Sequence, residues 1–400
     1  MNSTPRGMRR HIAILGETNS GKSALFNAIL GVEAAIVSDI SGTTTDPIVK
    51  PMELLPYGPV VLIDTGGLGD ETALGEQRVK RTRETLSGVD FALYTVDVRS
   101  FDEDIYREMR AVFENQSTPH MVVFTKKDLL ELSDIERIAH FSKKYKNTYV
   151  VSVKDEASIS ELLARMSESL EKLAAISDFN QVSIAPVGGV AVMVSVIDSE
   201  APAGRLILPQ NQFIRKCLDD GIRVNCTTPE QLPIVLRESA RVDIVVTDSQ
   251  AFKEVAEIIP NDIPLTSFSI LGAHEKGNLA VFIRGIQAIG KLNDGDRILI
   301  AEACTHNSTH EDIARVKIPA LLRKLSGKTL EFEYRSGRDF PDNLLSYALV
   351  VHCGSCNLTR RETLERMQRV TKTGVPITNF GVLLAYGADI LNRATEPFIK

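Results

Sequence analysis

Cysteine is scarce in this chain of 400 residues: there are five, without an even, regularly spaced framework. That excludes a disulfide scaffold and fits thiols kept reduced in a cytoplasm. Long apolar runs are missing as well. The longest candidate, Val187 to Ile197, is half of the roughly 20 residues a membrane helix needs, and it reads as a buried strand. The basic start (Arg6, Arg9, Arg10) lacks the apolar core of a signal peptide, because Ile12 to Leu15 runs straight into a glycine loop. Positive charge is not in excess. The net charge of −6 argues against a general affinity for nucleic acid. With 24% charged and 43% hydrophobic residues, the chain reads as an ordinary globular protein of about two to four domains. The expectation is a cytoplasmic protein with neither a membrane nor a nucleic acid as partner.

One motif is complete. The strand Ile12 to Leu15 feeds Gly16-Glu17-Thr18-Asn19-Ser20-Gly21-Lys22-Ser23, which matches the phosphate-binding loop at every fixed position. Its glycines let backbone N–H groups curl around phosphate oxygens, and the helix from Ala24 to Leu30 points its positive end at them. Lys22 would neutralise the β and γ phosphates, while Ser23 would ligate magnesium. Pro59 to Ile63 reads as a strand that ends in Asp64-Thr65-Gly66-Gly67. Asp64 would hold magnesium through water, and the Gly67 N–H would sense the γ-phosphate. Phe91 to Val96 and Met121 to Phe124 are further strands.

The second of these ends in Thr125-Lys126-Lys127-Asp128, which resembles the base-reading motif of GTPases. Asp128 can accept from both N1–H and the 2-amino group of guanine, in charge-assisted bonds of about 1.5–3 kcal/mol each; adenine offers no such pair. Ser152-Val153-Lys154 resembles the loop that closes over the base. Ser41-Gly42-Thr43-Thr44-Thr45-Asp46 is similar to the switch I signature of Era and TrmE-like GTPases, with Thr45 where arginine is usual. By that match Thr44 is the switch threonine on magnesium, and Asn19 resembles the asparagine through which such proteins bind potassium. Leu68 stands where many GTPases place a water-orienting glutamine. An aliphatic side chain cannot orient water, so unaided hydrolysis should be slow and a cation or partner should assist it. Glu71 and Glu76 read as solvated charges of switch II.

A helix from Ile159 to Leu173 closes this GTPase unit, and Ser177 to Ser183 reads as a linker. Strands at Val190 to Ile197, Ile222 to Asn225, Val242 to Val246 and Pro264 to Phe268 then alternate with helices at Gln210 to Leu218, Pro229 to Ser239 and Asp248 or Ser249 to Ile258. Such alternation implies a small parallel α/β sheet. It carries no catalytic signature, which suggests a dimerisation or spacer element, and Cys217 and Cys226 read as buried structural thiols.

The remaining cysteines fall in two clusters, Cys304-Thr305-His306 and, 49 positions on, His352-Cys353-Gly354-Ser355-Cys356. Glu275 to Ile289 reads as a helix, and Arg297 to Ala301, Thr329 to Tyr334 and Tyr347 to Val351 as strands. Both clusters follow strand ends, where ligands collect in open parallel sheets, so they can close into one site. The helix from Thr359 to Val370 would aim its N–H dipoles at anionic thiolates. Three chemistries suit these residues. A zinc site would use Cys304, Cys353, Cys356 and one histidine, although such sites usually carry a C-x-x-C pair at both ends. A redox disulfide would leave Cys304 and the histidines without a role. A three-cysteine 4Fe-4S cluster uses every thiol and leaves one iron open.

An Era/TrmE-like GTPase followed by C-x-H, 45 to 50 residues, and H-C-x-x-C resembles the HydF family of FeFe-hydrogenase maturation GTPases over the whole chain; here 45 residues separate His306 from His352. The resemblance implies an α/β protein in three parts: a P-loop GTPase domain (1–175), an α/β dimerisation domain (184–268) and an α/β cluster-binding domain (270–400). It implies a homodimeric scaffold with GTP, magnesium, potassium and a 4Fe-4S cluster. Such a scaffold receives a two-iron precursor from radical-SAM maturases and passes it to apo FeFe-hydrogenase. Cys304, Cys353 and Cys356 become the cluster ligands, with the fourth position open among His306, His352 and Glu302. The rival expectation is a GTPase acting on RNA or ribosomes with a structural metal site, as several Era and TrmE relatives do.

Overall fold

The computed structural model describes residues 9–31, 48–65, 86, 88–178, 183–197, 206–302, 313–337, 339–355 and 357–399. The chain divides into two compact units, residues 1–180 and 181–400.

The first unit runs β1 (Arg10–Gly16), α1 (Lys22–Gly31), β2 (Ile48–Leu54), β3 (Gly58–Asp64), β4 (Phe91–Asp97), α2 (Glu103–Asn115), β5 (His120–Thr125), α3 (Leu132–Lys144), β6 (Thr148–Val150) and α4 (Glu156–Asp178). The strands form one six-stranded sheet in the order β2-β3-β1-β4-β5-β6, in which β2 alone is antiparallel. Successive residues of β1 face opposite sides. Ile12 and Ile14 pack with Leu25, Ile29 and Met166 from α1 and α4, whereas Ala13 and Leu15 pack with Phe113 and Phe141 from α2 and α3. The sheet is therefore covered on both faces, which is why β4 is buried along its whole length. The sequence reading missed β2. Its Lys50, Pro51 and Glu53 interrupt the apolar pattern, as an edge strand permits.

The second unit runs β7 (Val190–Val194), α5 (Leu208–Asp219), β8 (Arg223–Thr227), α6 (Leu232–Glu238), β9 (Ile244–Thr247), α7 (Phe252–Ile258), β10 (Leu265–Ser267), α8 (Phe268–Lys276) and α9 (Leu279–Gly285). It continues with β11 (Arg297–Ala301), α10 (Ile318–Ser326), β12 (Glu331–Arg335), β13 (Leu349–His352), α11 (Arg360–Lys372), β14 (Ile377–Asn379), α12 (Phe380–Gly387) and α13 (Leu391–Thr395). There are two four-stranded parallel sheets, β10-β9-β7-β8 and β12-β11-β13-β14. Val192, Val194 and Val245 of one share a single buried core with Ile298, Ile300 and Val350 of the other.

Three readings of the sequence need correction. The buried strand expected over Val187 to Ile197 is only Val190–Val194, and Val187 and Ile197 are exposed. The helix expected over Glu275 to Ile289 is two helices. Gly277 ends α8 ahead of α9, and each helix has its own side-chain cap: Ser267 accepts from the Ile270 N–H and Asn278 from the Val281 N–H. Cys226 is exposed, because β8 lies at the edge of its sheet; Cys217 is buried as expected.

Candidate functional site

The phosphate loop spans the gap between β1 and α1. Gly16 has φ 150°, and a Cβ there would stand 2.2 Å from the Thr95 carbonyl oxygen, so only glycine lets the loop leave the sheet at this point. Side chains on neighbouring strands then hold it. Ser20 Oγ and Thr95 Oγ1 lie 2.8 Å apart, and the Thr125 hydroxyl donates to the Ser20 carbonyl at 2.7 Å. Asn19, at φ 62°, and Ser23 are exposed. Lys22 is 8% exposed and folds back, its Nζ donating to the Gly16 and Glu17 carbonyls at 2.9 and 2.6 Å. Burial lowers its pKa, and Asp64 and Glu17 oppose that shift. Asp64 closes β3 and is buried. Thr43, Thr44, Gly67, Leu68, Glu71 and Glu76 lie outside the described residues.

The base-reading corner is tied to this loop. Lys126 takes the left-handed conformation (φ 59°), and its Nζ donates to the Asn19 carbonyl and to Asp97 Oδ2, both at 2.8 Å. Asp97 ends β4, and its carboxyl is held well below the usual range by Arg99 first and Lys126 second. The sequence reading missed this pair. Its only signal was an acidic residue closing a largely apolar strand. Asp128 is exposed, and Ser152 Oγ and Lys154 Nζ donate to its two oxygens at 2.8 and 2.7 Å. These bonds, that of Lys154 first, lower its pKa. The arrangement offers two acceptor oxygens to paired donors, as guanine recognition requires. Val153 is exposed beside it.

The second site lies where β11 and β13 end side by side. Ala301 and His352 are register partners, and the Cys353 N–H donates to the Ala301 carbonyl at 3.0 Å. In the order β12-β11-β13-β14, the chain leaves β11 in one direction for β12 and in the other for β13, which makes the β11/β13 boundary the switch point of this sheet. Both cysteine segments follow these two strands. The loop after β13 is fixed from several directions. Asn379 Nδ2 donates to the Cys353 carbonyl at 2.9 Å, and Lys276 Nζ donates to the Ser355 and Leu358 carbonyls, each at 2.9 Å. A Cβ on Gly272 would meet the Gly354 carbonyl oxygen at 2.6 Å, so α8 and the loop touch backbone to backbone. Ser355 is left-handed (φ 59°), which aims its N–H at Cys353 Sγ, 3.4 Å away. Thr359 and Glu362 form a capping box at the start of α11.

His352 is fully buried. Its Nδ1 lies 3.0 Å from the Cys353 carbonyl oxygen and 3.4 Å from Ser355 Oγ, and its Nε2 lies 3.5 Å from a guanidinium nitrogen of Arg366. A guanidinium can only donate, so Nε2 accepts and Nδ1 carries the proton. Burial, then the Arg366 charge, pushes the imidazole pKa down to about 4. Glu302 accepts from Ser336 Oγ at 3.0 Å and pairs with Arg315 at 3.3 Å. Cys304, His306 and Cys356 lie outside the described residues, and among the described residues no three His, Cys, Asp or Glu side chains cluster as a metal site. The part in view suits an anionic sulfur ligand: a half-buried cysteine at a switch point, with a backbone N–H aimed at its sulfur. Lys276, Asn379, Gly272 and Arg366 had no signal in the sequence, since each reaches the end of β13 or its loop from a separate helix or strand.

Sheet, phosphate loop and base corner define the first unit as a P-loop GTPase domain. Residues 11–126 match the family described as 50S ribosome-binding GTPase. Among curated proteins, the tRNA modification GTPase MnmE of Aquifex aeolicus is 33% identical over 168 residues, 40% of this chain and 35% of that protein. The MnmE of Rickettsia akari is 29% identical over 169 residues, 42% of this chain and 36% of that one. The chain thus spans about a third of the length of these relatives. Among solved structures, Era of Aquifex aeolicus bound to GDP·AlF4− is 16% identical with a TM-score of 0.32, covering 62% of this chain and 97% of Era. The G domain of the T. maritima FeoB iron transporter is 22% identical with a TM-score of 0.30, over 40% and 98%. Residues 182–277 match the hydrogen maturase F dimerization domain, and residues 280–397 match its tetramerization domain. Together these two matches cover more than half of the chain. It belongs to the hydrogen maturase F family.

Proposed function

We propose that this chain is a GTP-hydrolysing scaffold of FeFe-hydrogenase maturation. It would bind a 4Fe-4S cluster, receive a two-iron precursor from radical-SAM maturases and pass it to apo-hydrogenase. The observation that carries this reading is the pairing of Ala301 with His352, which sets the starts of two cysteine-bearing segments side by side in a hydrogen maturase.

In the GTPase unit, Lys22 exchanges its two loop carbonyls for the β and γ phosphates. Ser23 and Thr44 would ligate magnesium, Asp64 would hold it through water, and Asn19 would contribute to a potassium site. The Gly67 N–H meets the γ-phosphate. Asp128 exchanges Lys154 and Ser152 for the guanine edge. In the second unit Cys304, Cys353 and Cys356 would hold the cluster, with the fourth place falling to His306, Glu302 or the cargo, because His352, the other candidate, turns its one acceptor nitrogen to Arg366. When bound, the cluster supplies an iron open to a bridging ligand. The loop clamped by Lys276 and Asn379 keeps Cys353 in place through loading and release. We take the domains as 1–175, 184–268 and 270–400. The middle one pairs two copies, a reading supported by the name of the family it matches.

Anaerobic purification followed by iron and sulfide analysis, then transfer of iron to apo-hydrogenase, tests the proposal. A brown protein that activates the hydrogenase supports it. A colourless one that binds RNA supports the ribosome or tRNA reading instead.

A further inference from the structure

Arg366, on α11, is 6% exposed, yet among the described residues it forms no ion pair with a carboxylate. Its partners are neutral. One guanidinium nitrogen donates to the Gly337 carbonyl, another faces His352 Nε2 at 3.5 Å, and the guanidinium lies over the Phe340 ring, 5.1 Å from the centroid. A buried cation without an anion is costly, and natural proteins supply the anion. The route out of the guanidinium leads to one place. From His352, Nδ1 reaches the Cys353 carbonyl and Ser355 Oγ, and the Ser355 N–H reaches Cys353 Sγ. Burial is the largest influence on Arg366 and disfavours its charge, whereas Cys353, then Glu362, favour it.

We propose that Arg366 is a positioning residue that supplies the buried counter-charge for an anionic sulfur-ligated centre on the Cys353 loop, with His352 as the rigid link between them. The proposal rests on the metal–sulfur reading of that loop and deepens it. The one lone pair of neutral His352 points at Arg366, so the imidazole braces the loop from behind and leaves the open position to His306, Glu302 or cargo. A fixed positive charge behind the centre stabilises its more reduced, more negative state.

The test uses the full chain, reconstituted anaerobically with iron and sulfide, as wild type, Arg366→Met and Arg366→Lys. Arg366→Met should retain iron and GTP hydrolysis, but its midpoint potential, followed by paramagnetic resonance, should move negative. We expect at least a tenfold fall in the reduced-to-oxidised ratio at a fixed potential, which is about 59 mV for a one-electron couple. Arg366→Lys should recover most of that shift. An unchanged or more positive potential in Arg366→Met, or a lysine variant displaced as far as the methionine one, overturns the proposal. Should Arg366→Met fail to fold, Arg366→Gln replaces it, since its amide still donates to the Gly337 carbonyl. A wild type that takes up no iron overturns the metal–sulfur reading itself.

Discussion

The two four-stranded sheets of the second unit have the same strand order. In each, the first strand (β7 or β11) lies between the second and third, and the fourth lies outside the third. Each therefore has a switch point, at β7/β9 and at β11/β13. The first is filled by its own side chains: Asp248, just past β9, accepts from the Val196 N–H at 3.1 Å and from Gln210 Nε2 at 3.4 Å. At the second, the residues after the strands are the cysteine segments, and the clamping groups (Lys276, Asn379) bind backbone carbonyls of the loop after β13. One topology thus yields one corner closed by Asp248 and one lined by cysteine segments. The GTPase sheet makes the same point again, with the phosphate loop at the end of β1. Function here lies in the residues at the switch point and not in the sheet.

The sharpest way to break that comparison is to remove the sulfurs. Cys353→Ser, like Cys304→Ser and Cys356→Ser, should lose most bound iron and all maturation activity while GTP hydrolysis persists, because a hydroxyl is a far poorer iron ligand than a thiolate. Cys217→Ser and Cys226→Ser, in the closed half, should keep their iron. Burial pushes the Cys217 thiol up to about 12, so it offers no thiolate at neutral pH. Iron content of the five variants decides the matter. Iron lost from either control as completely as from Cys353→Ser would disprove the division.

The GTPase switch point should break independently. Asp128→Asn places a donor where guanine also donates, and polar groups left unpaired in such a site cost about 10⁴ in selectivity. Turnover should move from GTP towards xanthosine triphosphate with the iron content unchanged. Unaltered GTP turnover would remove Asp128 from base reading.

Asp248→Ala tests the closed corner. It frees the Val196 N–H and the Gln210 amide, which should cost about 1–3 kcal/mol of stability. Urea denaturation should report that loss in a variant whose iron content and GTP turnover are those of the wild type. A loss of iron would mean that the first sheet also serves the cysteine site.

The three switch points were unequally legible in the sequence, for a physical reason. A phosphate loop holds its ligand with the backbone of eight consecutive residues, so spacing alone reveals it. The cysteine site is assembled from two strand ends, and its clamps come from α8, α11 and β14, far along the chain. The cysteines themselves were visible in the sequence, whereas their supports were not. The break at Gly277 went unseen for a related reason. The stretch Glu275 to Ile289 is apolar enough for one helix, and the polar cap at Asn278 decides where the second begins. Cys226 was misplaced because its environment depends on β8 being an edge strand, which only the strand order reveals.

The smallest predicted effect concerns α8, the helix that both halves share. His274 on α8 stacks on Phe398 with ring centroids 4.7 Å apart, and its Nε2 is buried without a hydrogen-bond partner among the described residues. Burial, then the charges of Arg360 and Lys216, lowers its pKa. The unfolded chain, with a histidine pKa of about 6.5, therefore binds the proton more readily than the native one. Stability supplied by the neutral ring is present above that value and is lost as pH falls from there towards the lowered native value. Glu275 on the same helix acts in the opposite sense, since burial raises its pKa and its contribution fades as pH rises. His274→Phe keeps the stack, removes the unpaired nitrogen and isolates the imidazole. Its urea midpoint should exceed that of wild type by more at pH 5.5 than at pH 7.5, with iron content and GTP turnover unchanged at neutral pH. A gap that stays constant across this range would mean that His274 is protonated as easily in the folded protein as in the unfolded chain, and that α8 couples the two halves by packing alone.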